Sequence, residues 1–268
     1  MKDLAMNDTW RVRLDTMLNK VPEVTLAFWV IKVMSTTVGE TGADYLAVHV
    51  GLGTALTDGI MVVLLVLSLV VQLRARQYVP WRYWLTVVLV SVVGTQITDA
   101  LTDGFEVSLY LSTVVFAVAL AGTFAVWYRM ERTLSIRTIV TTRRELFYWT
   151  AILFTFALGT AAGDLATEEL QLGFRLGILI FGALIAVVAA AYRLGAGSVL
   201  AFWIAYILTR PLGASLGDFL SQPQAYGGVG LGTVVTSVFF LAVIVILVAF
   251  LSVDANGTAE PASVTEDA

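Results

Sequence analysis

The sequence predicts an all-α integral membrane protein. Eight transmembrane helices, in four tandem two-helix repeats, would form a parallel pseudo-symmetric bundle with both termini cytoplasmic. Three observations predict it. Of 268 residues, 58% are hydrophobic and 13% charged, where a soluble domain carries about 25% charged residues. Apolar runs long enough to cross a bilayer, about 20 residues as helix, recur along the chain. One spaced motif returns four times.

The same composition excludes other classes. Disorder needs low hydrophobicity and high charge. With no cysteine there is no disulfide, thiolate metal site, iron–sulfur cluster or cysteine nucleophile. A single histidine, His49, excludes sites built on two. A net charge of −4 argues against a nucleic-acid partner, and no cofactor is expected.

In chain order, the spans are read at 22–45, 47–73, 81–102, 105–128, 146–166, 171–193, 197–220 and 229–252. Residues 1–20 form a cytoplasmic segment without the long apolar run of a signal peptide. Its Trp10, Leu14 and Met17 share one face of a short surface helix. Residues 21–252 form the membrane domain, with repeats near 21–76, 77–132, 142–194 and 196–252, and the acidic tail 253–268 is read as disordered. Thirteen of the sixteen basic residues fall on the side of the N-terminus, and the connections after spans one, three, five and seven carry none. By the positive-inside rule that side is cytoplasmic, placing a multi-pass protein in the plasma membrane.

The repeat is W-x9-G-x4-D. It reads Trp29, Gly39 and Asp44; Trp84, Gly94 and Asp99; Trp149, Gly159 and Asp164; Trp203, Gly213 and Asp218. An aromatic residue precedes each tryptophan: Phe28, Tyr83, Tyr148 and Phe202. The tryptophan suits the cytoplasmic interface. The glycine lies about 15 Å further along the helix, where it permits close backbone approach. The aspartate lies about 22 Å along, toward the outer interface. Each step covers two spans, so the repeats keep one orientation about an axis along the membrane normal. Odd spans would pack centrally and even spans face lipid, with the four aspartates ringing the outer mouth.

The stretch Lys20-Val-Pro-Glu-Val-Thr-Leu-Ala-Phe-Trp29, the stretch Thr36-Thr37-Val-Gly39-Glu40-Thr-Gly-Ala-Asp44 and the four two-span repeats resemble a family of bacterial and archaeal membrane-anchored proteins. It is built on a tandem repeat known as domain of unknown function 347. The resemblance covers about residues 20–252 and implies two transmembrane regions and a characteristic tryptophan per repeat. It implies no chemistry.

Ionisable groups inside spans are costly and point to function. Lys32, Thr36, Glu40 and Asp44 follow at i+4, a polar stripe along one face of the first span. Asp58 lies near the middle of the second span, and Arg210-Pro211 near the middle of the seventh, where proline removes a backbone hydrogen bond. The expected arrangement is an internal network with Arg210 and Lys32 as counter-charges for Glu40 and Asp58. Acids outnumber bases, because Asp99, Asp164 and Asp218 add to Glu40, Asp44 and Asp58. The surplus favours a cation or a proton path. Hard oxygen ligands suit Mg²⁺, Ca²⁺ or Mn²⁺, and the metal itself is left unassigned.

Plainer readings stand beside these. The aspartates cap the helices that follow them, the glycines are packing contacts, and the tryptophans are interface anchors. Lys32 snorkels to the cytoplasm, the Arg210–Glu40 pair is purely structural, and His49 is an interfacial residue. Asp103, Glu106, Glu168 and Glu169 either form an electronegative mouth or are ordinary solvated turn residues.

The expected function is transport or conduction of a small cation, with or without proton coupling, by intramembrane carboxylates and their Lys/Arg counter-charges. The alternatives are a structural or accessory subunit, or an embedded enzyme using a Glu/Asp acid–base pair. No nucleotide loop, zinc motif or catalytic triad favours the enzyme. The expected partners are the bilayer, the transported solute and a second copy of the chain.

Overall fold

The computed structural model describes residues 19–49 and 54–257, without the side chains of Asp44, 47–49 and 254–257. The expected surface helix within residues 1–20 therefore lies outside the described residues, apart from Asn19 and Lys20. The chain is all-helical among the described residues. Its long helices are α1 (Leu26–His49), α2 (Thr54–Leu73), α3 (Pro80–Asp99), α4 (Leu109–Glu131), α5 (Thr142–Asp164), α6 (Gly173–Arg193), α7 (Ser198–Ser221) and α8 (Thr233–Gly257). The last runs five residues beyond the expected boundary at 252, so 253–257 are helical, and 258–268 lie outside the described residues.

Seven of these, α2 to α8, are long and apolar enough to cross a membrane. At 24 residues α1 has the length. It lacks the composition because its Lys32, Thr36, Thr37, Glu40 and Thr41 are polar, and all five are buried. A helix enclosed by other helices meets little lipid, so its faces can carry polar groups that find partners inside.

Burial separates the helices into two shells. The apolar windows of α3, α5 and α7 are 56–61% buried, against 6–22% for α2, α4, α6 and α8. The inner helices touch in a closed sequence, α1 on α3, α3 on α5, α5 on α7 and α7 back on α1. Each outer helix lies chiefly on the inner helix of the following repeat: α2 on α3, α4 on α5, α6 on α7, and α8 on α1. The fourth repeat thereby closes on the first. Outer faces such as Val63, Leu67, Val118, Leu179 and Val245 remain exposed, as lipid-facing surface requires.

The second and third inner helices share an exit. Past Asp99 and Asp164 the helix widens into a π-helical turn, Ala100–Gly104 and Leu165–Glu169 respectively. Glu106 and Gln171, each seven residues beyond its aspartate, then both take φ 54°. These aspartates do not cap the next helix, because the chain continues helically past them. The cap of α4 is Ser108, whose side chain accepts from the Leu111 amide. Nor is α7 broken at Pro211, which sits inside a continuous helix. Thr36 and Thr37 of α1 donate to the carbonyls of Thr209 and Gly213, on either side of that proline.

Candidate functional site

The close approach of the inner helices is set by the motif glycines. A Cβ on Gly39 would strike Ser91, one on Gly94 would strike Phe156, one on Gly159 would strike Arg210, and one on Gly213 would strike Thr36. Each intruding residue stands three positions before the glycine of the next repeat, and the fourth contact returns to the first repeat. Glycine here provides space: without a side chain it lets the neighbour's side chain lie against the helix backbone.

The aromatic residues repeat this handedness one level away. Phe28 packs on Trp84 with ring centroids 5.5 Å apart, Tyr83 on Trp149 at 5.5 Å, Tyr148 on Trp203 at 6.1 Å and Phe202 on Trp29 at 5.8 Å. Trp84, Trp149 and Trp203 are buried, which makes them core residues of the bundle rather than anchors in a lipid interface. The Trp203 indole N–H donates to the Leu134 carbonyl at 2.9 Å. Phe28, Tyr83, Tyr148 and Phe202 are buried too, and the Tyr83 and Tyr148 hydroxyls meet at 2.5 Å. In the α2–α3 loop, Tyr78 accepts the Trp84 indole N–H, and burial pushes its phenol above the ordinary tyrosine range.

Between the aromatic level and the glycines sits Lys32. It is fully buried and does not snorkel. Its Nζ lies 4.1 Å from the Phe156 ring centroid and 4.3 Å from that of Tyr206, and has no hydrogen-bond partner among the described residues. The attraction is that of a cation for ring faces, so Lys32 is not the counter-charge of Asp58. Asp58 stands apart, on α2, lining the cavity described below.

Arg210 is the centre of the site. It is fully buried, and its Nη2 donates to Glu40 Oε2 at 2.6 Å, to Thr160 Oγ1 at 2.7 Å and to Thr95 Oγ1. Glu40, Thr95 and Thr160 each follow the motif glycine of their repeat, and the equivalent residue of Arg210's own repeat is Ala214. One guanidinium thus gathers the corresponding positions of the other three repeats. A buried charge needs such partners.

Beyond this layer a cavity of about 910 Å³ opens toward the aspartate ends of the inner helices. Glu40 lines it, as do Asp99, Asp164 and Asp218 of three repeats. Asp58, Asp103, Glu106 and Glu168 add to the acidic lining, which contains no lysine or arginine among the described residues. Asp164 is within electrostatic reach of Glu40, Glu168, Asp99 and Arg210. The side chains of Asp44 and His49 lie outside the described residues. No three carboxylates converge into a metal-holding group among the described residues. Arg210 and Glu40 thus stand between the acidic cavity and the buried aromatic level.

Several contributing residues carry no ionisable signal in the sequence. Thr95, Thr160 and Gln96 are ordinary polar residues until the repeats are aligned, which puts Thr95 and Thr160 level with Glu40. A second buried ion pair lies at the tryptophan ends, where Lys20 Nζ meets Glu145 Oε2 at 2.7 Å and the Leu73 carbonyl at 3.1 Å. Gln72 donates to the other oxygen of Glu145 at 3.1 Å. Lys20 thus belongs to the core and not to a solvated leader.

An all-helical chain with seven membrane-length apolar helices around an interior holding buried charges is a multi-pass membrane protein. Residues 27–78, 82–133, 147–196 and 201–254 each match the family described as Repeat of Unknown Function (DUF347), and the chain belongs to that family. No curated protein and no solved structure matches the chain.

Proposed function

We propose that the chain is a plasma-membrane transporter for a cationic solute. In this reading α1 also crosses the membrane, giving eight spans, and the four repeats run parallel around a pseudo-fourfold axis with both termini cytoplasmic. The cyclic glycine and aromatic contacts support the parallel arrangement, and the distribution of lysine and arginine supports the orientation. The cavity would then open to the outside, and the aromatic level would close the cytoplasmic side.

One observation carries the transport reading. The acidic cavity ends at a buried Arg210–Glu40 pair, beyond which lie Lys32, whose Nζ has no hydrogen-bond partner among the described residues, and a buried aromatic layer. Among the described residues eight carboxylates and no basic residue line the cavity, which concentrates cations by field. A cation that reaches Glu40 competes with Arg210 for it, and release of Arg210 is the trigger for rearranging the inner helices.

The experiment is flux into proteoliposomes across a panel of H⁺, Na⁺, K⁺, Mg²⁺, Mn²⁺ and organic cations, comparing the wild type with Glu40→Gln and Asp58→Asn. Flux that is lost in folded variants supports transport. Absence of flux for every cation, in protein shown to be folded, rejects it.

A further inference from the structure

Within the transport reading, on which this inference rests, we propose that the cavity binds aliphatic amines bearing two or more primary ammonium groups. Size is the first argument. A cavity of about 910 Å³ is far larger than a dehydrated metal ion and within the range of organic ligand sites.

Donor geometry is the second. Divalent metals gather several oxygens at one point, yet no such convergence of carboxylates exists among the described residues. The acids are instead distributed in rows. Asp99 at the end of one inner helix and Asp103 in the π-helical turn that continues it, and likewise Asp164 and Glu168 on the next, are each four residues apart, roughly one turn, which sets their side chains on the order of 5–6 Å from one another. That separation is comparable with the distance between ammonium groups joined by three or four methylenes. A chain of spaced charges can satisfy a row of carboxylates that a single ion cannot.

The third argument comes from outside the acids. Gln96, on α3, lines the cavity and is more than nine-tenths buried, and its carbonyl oxygen Oε1 accepts no hydrogen bond. A buried acceptor without a donor is costly, and an ammonium N–H supplies that donor. A quaternary ammonium has no N–H to give, and it is recognised by a cage of aromatic faces. Among the described residues Phe105 is the only aromatic one of the lining. The lining therefore selects primary amines over choline-like cations as well as over divalent metals.

The test is calorimetric titration of the full chain in nanodiscs with putrescine, spermidine, Mg²⁺, Mn²⁺ and choline, followed by proteoliposome flux of the same cations. Putrescine and spermidine are expected to bind at least tenfold more tightly than Mg²⁺ or choline. Gln96→Leu, and independently Asp58→Asn on the half-open wall, are expected to weaken that binding several-fold with an unchanged unfolding temperature. Binding of Mg²⁺, Mn²⁺ or choline as tight as that of the polyamines overturns the inference, and so does polyamine binding indifferent to both variants. Metal flux without polyamine binding or flux overturns the inference and leaves transport standing. Polyamine binding with no flux of any cation upholds the site and overturns transport.

Discussion

Arg210 and Glu40 stand 170 positions apart in the chain, on the inner helices of the last and first repeats, and meet through a 2.6 Å hydrogen bond. Because α7 and α1 are the two helices that close the inner ring, this ion pair lies across its closing seam. Taking away either partner strands a charge in the interior, which costs about 3–5 kcal/mol in comparable buried pairs. Arg210→Met should therefore lower the unfolding temperature sharply, because Glu40 then loses the guanidinium that donates to it. Adding Glu40→Gln to Arg210→Met should recover most of the loss. Thermal unfolding of the single and double variants in detergent checks this, and additive losses would show that the two residues do not act as a pair.

The glycine contacts predict a position-specific steric effect. Gly159→Val would drive a side chain into Arg210 and Pro211, whereas Gly122 on α4 has nothing within 4 Å of an added Cβ. Overpacking costs about 1–3 kcal/mol, or more where backbones cannot separate. Gly122→Ala should be neutral or stabilising by up to about 1 kcal/mol, the usual gain in a helix interior. Comparing unfolding midpoints of the two variants tests whether the repeat glycine is there for close packing.

Sequence and structure agree most where repetition carries information. The W-x9-G-x4-D spacing reports helix register directly, and each glycine meets the same relative position of the next repeat. Depth alone marks Arg210 and Glu40 as too far inside to snorkel to the membrane surface. What one helix cannot reveal is which neighbour it faces. The partners of Lys32 are Phe156 on α5 and Tyr206 on α7, and no periodicity within α1 points to them. Aligned by level, however, Lys32 and Tyr206 both stand seven residues before their glycines. Tryptophan misleads for a related reason: its preference for interfaces is a property of lipid-facing helices, and these inner helices present it to one another.

The tryptophan ends hold a prediction about assembly. Glu145 is nearly fully buried, paired with Lys20 and receiving Gln72, so one carboxylate ties the segment before α1 to the ends of α2 and α5. Glu145→Ala would leave Lys20 with the Leu73 carbonyl alone and should cost about 3–5 kcal/mol. Glu131 pairs with the largely exposed Arg143 and with Arg144 at 2.7 Å, so its partners keep more water than Lys20 does. Glu131→Ala should cost less, about 1 kcal/mol, because those cations are rehydrated when it is removed. Equal losses for the two variants would contradict the buried tie.

The aromatic level makes the last prediction. Phe28, Tyr83, Tyr148 and Phe202 fill the inner ring, with the Tyr83–Tyr148 and Phe28–Phe202 centroids 6.5 and 6.0 Å apart. If this layer seals one end of the path, its bulk matters more than its hydroxyls. Tyr148→Phe removes one hydrogen bond, worth about 1 kcal/mol, and keeps the ring, so proteoliposomes should stay tight. Tyr148→Ala removes the ring and opens space beneath Lys32 and Arg210, at a cost of about 3–5 kcal/mol. In protein that still folds, it should let protons or small ions leak down their gradients. A pH-sensitive dye trapped in the vesicles reads the difference. A leak in Tyr148→Phe equal to that in Tyr148→Ala would mean that the hydroxyl pair holds the barrier. Tight vesicles with Tyr148→Ala would place the barrier at Arg210 and Glu40, because those residues then form the next closed layer along the path.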